Sequence, residues 1–219
     1  MNRTFPQFEM QLLYGACHYF LRMGFDMFFR GEIAGLENLP KSGGFLLAAN
    51  HASFLDPPLI GCHISRQIVF FARKTLWKGG LSSWWFDTTG TIPVDRDGGQ
   101  DVSAIKRVLR SIKEERGLIV FPEGTRTLDG ALQPAKPGVG FIAVKTQVPV
   151  VPVRIFGSFE AFGKGRALRL GTPVTVVFGR PLTPAIYDEP KAGRERAQIA
   201  SDRIMAAIAR LALPDERVI

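Results

Sequence analysis

The chain opens with an apolar and aromatic stretch over residues 5–29 whose patterning differs from everything after it. Within it Gln11, Gly15, His18, Arg22 and Asp26 recur at intervals of three and four. On a helix they form one narrow polar stripe, with leucine, methionine, phenylalanine and tyrosine around the rest. From about Gly44 the pattern changes to short apolar runs at 45–49, 68–72, 118–121, 148–155 and 174–178, separated by turns and helical segments. Their apolar residues are continuous rather than alternating, as in strands covered on both faces. Residues 102–115 carry apolar side chains at 102, 105, 108, 109 and 112, with Lys106, Arg107, Arg110 and Lys113 outside that set, which is a helical period. A second amphipathic helix is predicted over 194–213, with Ile199, Ile204, Ile208 and Leu211 inward. This succession predicts an α/β fold with a largely parallel sheet flanked by helices, preceded by an N-terminal amphipathic, membrane-associating helical segment. The expected division is 1–35 for that segment and 36–219 for the α/β domain.

The N-terminal stretch does not read as a simple membrane span. Between Glu9 and Arg22 the uncharged run is only about a dozen residues, against the roughly 20 that a bilayer requires. Arg22 and Asp26 would each cost about 2.5–3.5 kcal/mol at mid-membrane. No basic region followed by a small-residue cleavage site marks a signal peptide. Two readings fit: an interfacial helix, broken near Gly24, with its broad apolar face in the acyl layer, or a terminal helix docked on the protein's own core or on another subunit.

Composition narrows the partners. Apolar residues make up 46% of the 219, which argues against disorder, and 28 Lys plus Arg against 20 Asp plus Glu give a formal charge of +8. That charge favours anionic partners. The basic residues are spread along the chain without zinc-finger spacing, an RNP-like motif or a basic tail, so lipid or phosphate is expected and nucleic acid is not. The Gly-Lys-Gly segment at 163–165, followed by Arg166 and Arg169, reads as an exposed turn leading into a strand. Cys17 and Cys62 cannot make a disulfide framework and sit near no convincing set of metal ligands, so both are read as small apolar residues.

Three segments carry candidate chemistry. Asn50-His51-Ala52-Ser53-Phe54-Leu55-Asp56 begins where the run 45–49 ends, and ligand sites in open α/β sheets lie at that edge. On a continuous helix His51 and Asp56 would stand about 140° apart, so pairing them requires the chain to turn. Asp56-Pro57-Pro58 predicts a helix start with Asp56 as N-cap. Such a loop can fold Asp56 back to fix the tautomer of His51, giving a general base for an alcohol; the alternative is a satisfied loop histidine beside a plain helix cap. Phe121-Pro122-Glu123-Gly124-Thr125-Arg126-Thr127 follows another strand and gathers a carboxylate, hydroxyls and a guanidinium around a glycine. That set suits phosphate and hydroxyl recognition, or else a turn with an internal Glu–Arg pair. Gly90-Thr91-Ile92-Pro93-Val94-Asp95-Arg96 ends a short apolar run with another arginine, and Pro93 suggests a sheet edge there.

Taken together, these segments resemble the glycerophospholipid acyltransferase family, which includes the lysophosphatidic-acid acyltransferases. Asn50 to Asp56 resembles its NHxSxxD motif, Gly90 to Arg96 its second, Phe121 to Thr127 its FPEGTR motif, and Val148-Pro149-Val150-Val151-Pro152-Val153 its apolar fourth; the likeness covers roughly residues 36–180. Pro93 replaces an aromatic residue usual in the family, and Ala52 stands where many relatives have Gln. The resemblance implies His51 as general base and Asp56 as its orienting partner. It implies that Arg96, Glu123, Gly124, Thr125 and Arg126 bind the glycerol-phosphate acceptor, with Lys74 near the phosphate. The implied reaction transfers a fatty acyl group from acyl-CoA or acyl-carrier protein to the free hydroxyl of 1-acyl-glycerol-3-phosphate, giving phosphatidic acid, without metal or organic cofactor. Backbone amides near the first motif are the expected oxyanion donors.

Other acceptors, such as another lysophospholipid or a lyso-aminolipid, remain alternatives. So does a non-enzymatic membrane or phosphate-binding module. A hydrolase is disfavoured because no GxSxG segment is present. The expected location is the membrane surface, peripheral or monotopic, on the cytoplasmic face.

Overall fold

The computed structural model describes residues 7–89, 91–94 and 102–214. The chain runs α1 (Gln7–Phe28), β1 (Ile33–Ala34), β2 (Phe45–Ala49), α2 (Asp56–Gly61), β3 (Ile68–Val69), β4 (Phe71–Arg73), α3 (Gly80–Thr88), β5 (Ile92–Val94) and α4 (Val102–Lys113). It continues with β6 (Gly117–Val120), α5 (Pro137–Thr146), β7 (Val150–Phe156), α6 (Ser158–Phe162), β8 (Thr175–Phe178), α7 (Pro184–Tyr187) and α8 (Arg196–Ala209). Six strands form the main sheet in the order β1-β8-β7-β2-β6-β3. All neighbours are parallel except β7 and β8.

Strand β2 lies at the centre of the sheet and is fully buried along its length. Successive side chains of a strand point to opposite faces, so one continuous apolar run supplies two cores. Phe45, Leu47 and Ala49 join Leu59 and Ile60 of α2 and Phe25 of α1. Leu46 and Ala48 join Ala104 and Val108 of α4, Val139 and Ala143 of α5, and Ile204 and Ile208 of α8. This is the α/β architecture the sequence pattern predicts.

The run expected as one strand over 68–72 divides in two. Ile68 and Val69 pair with β6, whereas Phe71–Arg73 pair in parallel with β5 in a separate two-stranded sheet. Pro93 sits in β5, where a two-stranded sheet leaves its missing amide hydrogen on an open edge. The sheet begins at Ile33, inside the stretch expected to belong to the N-terminal segment, because Ile33 and Ala34 pair with Val176 and Val177.

Helix α1 continues unbroken through Gly24. No described helix is long and apolar enough to cross a membrane. Phe25, expected to enter an acyl layer, is instead core: it is 7% exposed, stacked on Phe29 at 5.5 Å and edge-on to His63 at 5.2 Å. Tyr19, Phe20, Met23 and Met27 are exposed, at 43% or more in each case. The helix therefore has two apolar sides, one docked on the protein, as in the reading of a terminal helix packed on the protein's own core, and one open.

Helices α5 and α8 pack closely because Gly140 leaves room. A Cβ there would lie 1.9 Å from the Ala197 carbonyl oxygen, and the Gly140 amide donates to Ser201 Oγ at 2.9 Å. Replacing Gly140 by Ala should lower stability by about 1–3 kcal/mol, the usual cost of overpacking. A fall in the urea midpoint at unchanged m-value measures it.

Candidate active site

Each residue of the Asn50 to Asp56 segment has a definable task. Asn50 is buried and clamps the ends of β2 and β7: its Nδ2 donates to Ile155 O at 3.1 Å, and the Ile155 amide donates to Asn50 Oδ1 at 2.7 Å. Ser53 Oγ donates to Phe162 O at 2.8 Å and accepts the Leu55 amide. Asp56 is fully buried, and its Oδ2 accepts three hydrogen bonds, from the amides of Ala52 and Ser53 at 2.7 Å each and from His51 Nδ1 at 2.9 Å. Such a carboxylate in a dry site is stabilised only through these charge-assisted bonds. With Nδ1–H held on Asp56, Nε2 is the nitrogen left to exchange a proton.

One expectation about this loop needs correction, and a second is narrowed. Asp56 does not act as N-cap; Leu55 holds that position, and the carboxylate turns upstream to the loop amides. The amides of His51, Ala52, Ser53 and Leu55 are all committed to side chains, so none of the four is free to hold an oxyanion.

The second segment encloses His51. Phe121, just beyond β6, stacks on the imidazole at 4.0 Å between centroids. The His51 amide donates to Glu123 Oε1 at 3.1 Å, and the Thr127 amide donates to His51 O at 2.9 Å, so the loop grips the backbone of His51 on both sides. Gly124 sits between these contacts at φ +67°, a left-handed conformation that favours glycine. Glu123 is 2% exposed, and burial pushes its carboxyl up to about 7, partly opposed by the hydrogen bond from His51. The charge of Asp56 adds to the rise.

A cavity of about 790 Å³ opens beside the imidazole, within the usual size range of small-molecule sites. Its polar lining includes His51, Arg73, Thr125, Arg126 and Lys164; its apolar lining includes Leu21, Phe70, Leu76 and Phe86. Arg126 lies with its guanidinium carbon 3.3 Å from the Phe54 ring centroid, and its buried Nη1 has no hydrogen-bond partner among the described residues. Burial lowers its pKa, Asp56 opposes that, and the neighbouring Arg73 lowers it further.

The structure thus brings His51, Asp56, Thr125 and Arg126 to one place. Glu123 and Gly124, expected to contact an acceptor, are not in the cavity lining. Glu123 stands behind the wall as a brace for His51. Lys74 is exposed at the start of a 3-10 turn and does not line the cavity; Arg73, one residue earlier, does. The reading from sequence missed Arg73, and its only available signal was a basic residue closing a strand. Arg96, with Gly90 and Asp95, lies outside the described residues. Both cysteines line the cavity, and burial raises the Cys62 thiol to about 12, in keeping with an apolar role.

A His–Asp pair at the carboxyl edge of a largely parallel sheet, gripped by a Glu-Gly-Thr-Arg loop, defines a recognisable class. Residues 30–156 match the model of the acyltransferase family, and the chain belongs to that family. Among curated relatives, a chloroplastic 1-acyl-sn-glycerol-3-phosphate acyltransferase of Brassica napus is 35% identical over 63% of this chain and 40% of its own. The human 1-acyl-sn-glycerol-3-phosphate acyltransferase alpha is 34% identical over 61% of this chain and 47% of its own. The chain therefore spans less than half the length of these two relatives. The crystal structure of a 1-acyl-sn-glycerophosphate acyltransferase from Thermotoga maritima superposes with a TM-score of 0.70 at 28% identity, covering 90% of this chain and 78% of that one.

The raised Glu123 carboxyl has a consequence for stability. A carboxyl that titrates near 7 when folded and near 4.5 when unfolded binds more protons in the folded state. Its contribution to stability is therefore full below about 4.5 and lost as pH rises to about 7. Glu123→Gln keeps an acceptor for the His51 amide and should flatten this loss in a urea-unfolding series across that window. Glu123→Ala removes the acceptor and should lower acyl-transfer activity.

Proposed function

We propose that this protein transfers a fatty acyl group from an acyl thioester, carried by CoA or acyl-carrier protein, to the free hydroxyl of 1-acyl-glycerol-3-phosphate, forming phosphatidic acid. The observation that carries this reading is one cavity lined by His51, whose Nδ1 is held by the buried Asp56, together with two guanidiniums and a large apolar wall. A lysolipid phosphate needs fixed cations, its hydroxyl needs a base, and its acyl chain needs an apolar wall. The relatives named above, called acyltransferases for this acceptor, support the same assignment.

In the proposed step the acceptor hydroxyl oxygen bonds to the thioester carbonyl carbon while His51 Nε2 takes its proton. Asp56 holds Nδ1–H and stabilises the imidazolium formed. The tetrahedral oxyanion then re-forms the carbonyl and breaks the C–S bond, and the imidazolium proton passes to the departing thiolate. Every bond change is served by this chain and its two substrates, so no cofactor enters the proposed reaction. Arg126 is suited to the phosphate because its buried Nη1, without a hydrogen-bond partner among the described residues, can donate to an anion. Arg73 lines the same cavity and acts electrostatically on Arg126, which makes it a second candidate, and Arg96 is a third from the family motif. The open side of α1, bearing Phe20, Met23 and Met27, is the proposed contact with the lipid surface.

His51→Ala should abolish turnover and, because it takes one of three donors from the buried Asp56, lower stability by about 1–3 kcal/mol while leaving the protein folded; Asp56→Asn should be severely impaired. A normally folded, fully active His51→Ala protein would refute the mechanism. Replacing Arg126 or Arg73 by Ala should raise the acceptor KM roughly tenfold or more and leave the thioester KM nearly unchanged, as steady-state kinetics on both substrates will show. Phe20→Asp with Met27→Asp should weaken partitioning onto lipid vesicles without lowering Tm, because both side chains are about two-thirds exposed.

A further inference from the structure

From residue 161 to residue 187 the chain contains no aspartate or glutamate, while Lys164, Arg166, Arg169 and Arg180 fall within it. Residues 164–171 are all exposed, and among them stand two leucines, Leu168 at 49% and Leu170 at 58% exposure. A solvent loop built for water has no need of such a pair. None of Lys164, Arg166 and Arg169 is ion-paired with a described acidic residue.

The loop is held in place. The Arg169 amide donates to Ala161 O at 2.8 Å, Thr172 Oγ1 donates to Arg169 O at 2.8 Å, and Arg166 lies over the Phe159 ring at 4.4 Å. It is also joined to the end of α1, because the Gly171 amide donates to Phe28 O at 2.7 Å and the Arg30 amide to Thr172 O at 3.2 Å. Met27 and Phe28, at that end of α1, are themselves 65% and 44% exposed. At its other end the loop reaches the cavity, which Lys164 lines, and Gly163 bridges to Ser53.

We propose that the loop 164–171 is a second membrane contact, specific for anionic lipid, that continues the open side of α1 and sets the cavity mouth against the headgroup layer. The leucines supply shallow insertion, and the basic side chains supply attraction to negative headgroups, a combination of two weak signals that gives stable surface binding. The inference takes from the proposed function only that the protein works at a lipid surface. An acidic carrier protein is the competing occupant; the exposed leucines and the hydrogen-bonded continuity with α1 favour the bilayer.

The test is vesicle co-sedimentation of the full chain without substrate, using phosphatidylcholine alone and phosphatidylcholine with about a third phosphatidylglycerol. Arg166→Gln with Arg169→Gln should lower partitioning onto the anionic vesicles roughly tenfold or more, at about fivefold per charge, and leave the neutral vesicles unaffected. Leu168→Ser with Leu170→Ser should lower partitioning onto both. Arg169→Gln alone, which leaves the Phe159 contact intact, should show about half the logarithmic loss. An unchanged Tm shows that each variant folds. Unchanged partitioning of the folded arginine variants onto anionic vesicles would overturn the proposal, as would a selective loss of carrier-protein-dependent turnover with vesicle binding intact. Because binding is read without turnover, a failure of the acyl-transfer reading would leave these measurements standing.

Discussion

The site depends on one carboxylate oxygen. Asp56 Oδ2 accepts two backbone amides and the His51 ring at once, from full burial. A buried charge with fewer partners would be costly, so the loop from His51 to Asp56 can close only in a form that delivers all three donors. That form turns the chain between β2 and α2, selects the imidazole tautomer and commits the amides of Ala52 and Ser53. Asn50 anchors this arrangement to the sheet by tying the end of β2 to β7. The geometry of the base is thus fixed by the sheet edge and by Asp56 together.

The cavity depends in turn on where α1 docks. Phe25 enters the core beside Phe29 and His63, and this seats Cys17, His18 and Leu21, all on the same side of the helix, along the cavity wall. On α2, Gly61 lets the Phe70 ring approach to 2.7 Å of where a Cβ would stand, so a second apolar surface closes against the first. His63, whose pKa burial lowers, donates through Nδ1 to Leu59 O at 2.8 Å within this packing and is structural. One helix therefore serves as a wall on one side and leaves an apolar stripe open on the other.

The electrostatics follow the same division between cavity and wall. Cations face the open space, where Arg73 and Arg126 tolerate each other's charge beside Asp56. Glu123, placed behind the wall, has its carboxyl pushed up by the same burial that lets it brace the His51 amide. A brace whose carboxyl is pushed up to about 7 carries less charge beside the base than an ordinary glutamate, which leaves Asp56 as the main charge acting on the imidazole.

The sequence by itself determined the α/β class, most strands, the helices over 102–113 and 196–209, and the segments that meet at the site, because period and motif are local properties. Continuous apolar runs read as strands buried on both faces, as β2 and β6 are, and a turn between His51 and Asp56 followed from their angular separation if the two pair. What the tertiary structure decided were facings and partners. That Arg73 rather than Lys74 reaches the cavity depends on where β4 ends and the 3-10 turn at Lys74 begins. That Glu123 braces and Arg126 faces inward depends on how the loop wraps His51, a residue 72 positions from Glu123. That Phe25 is core and Phe20 is not depends on how α1 meets α2. Each of these is set by contacts between segments distant in the chain, and local pattern carries no information about them.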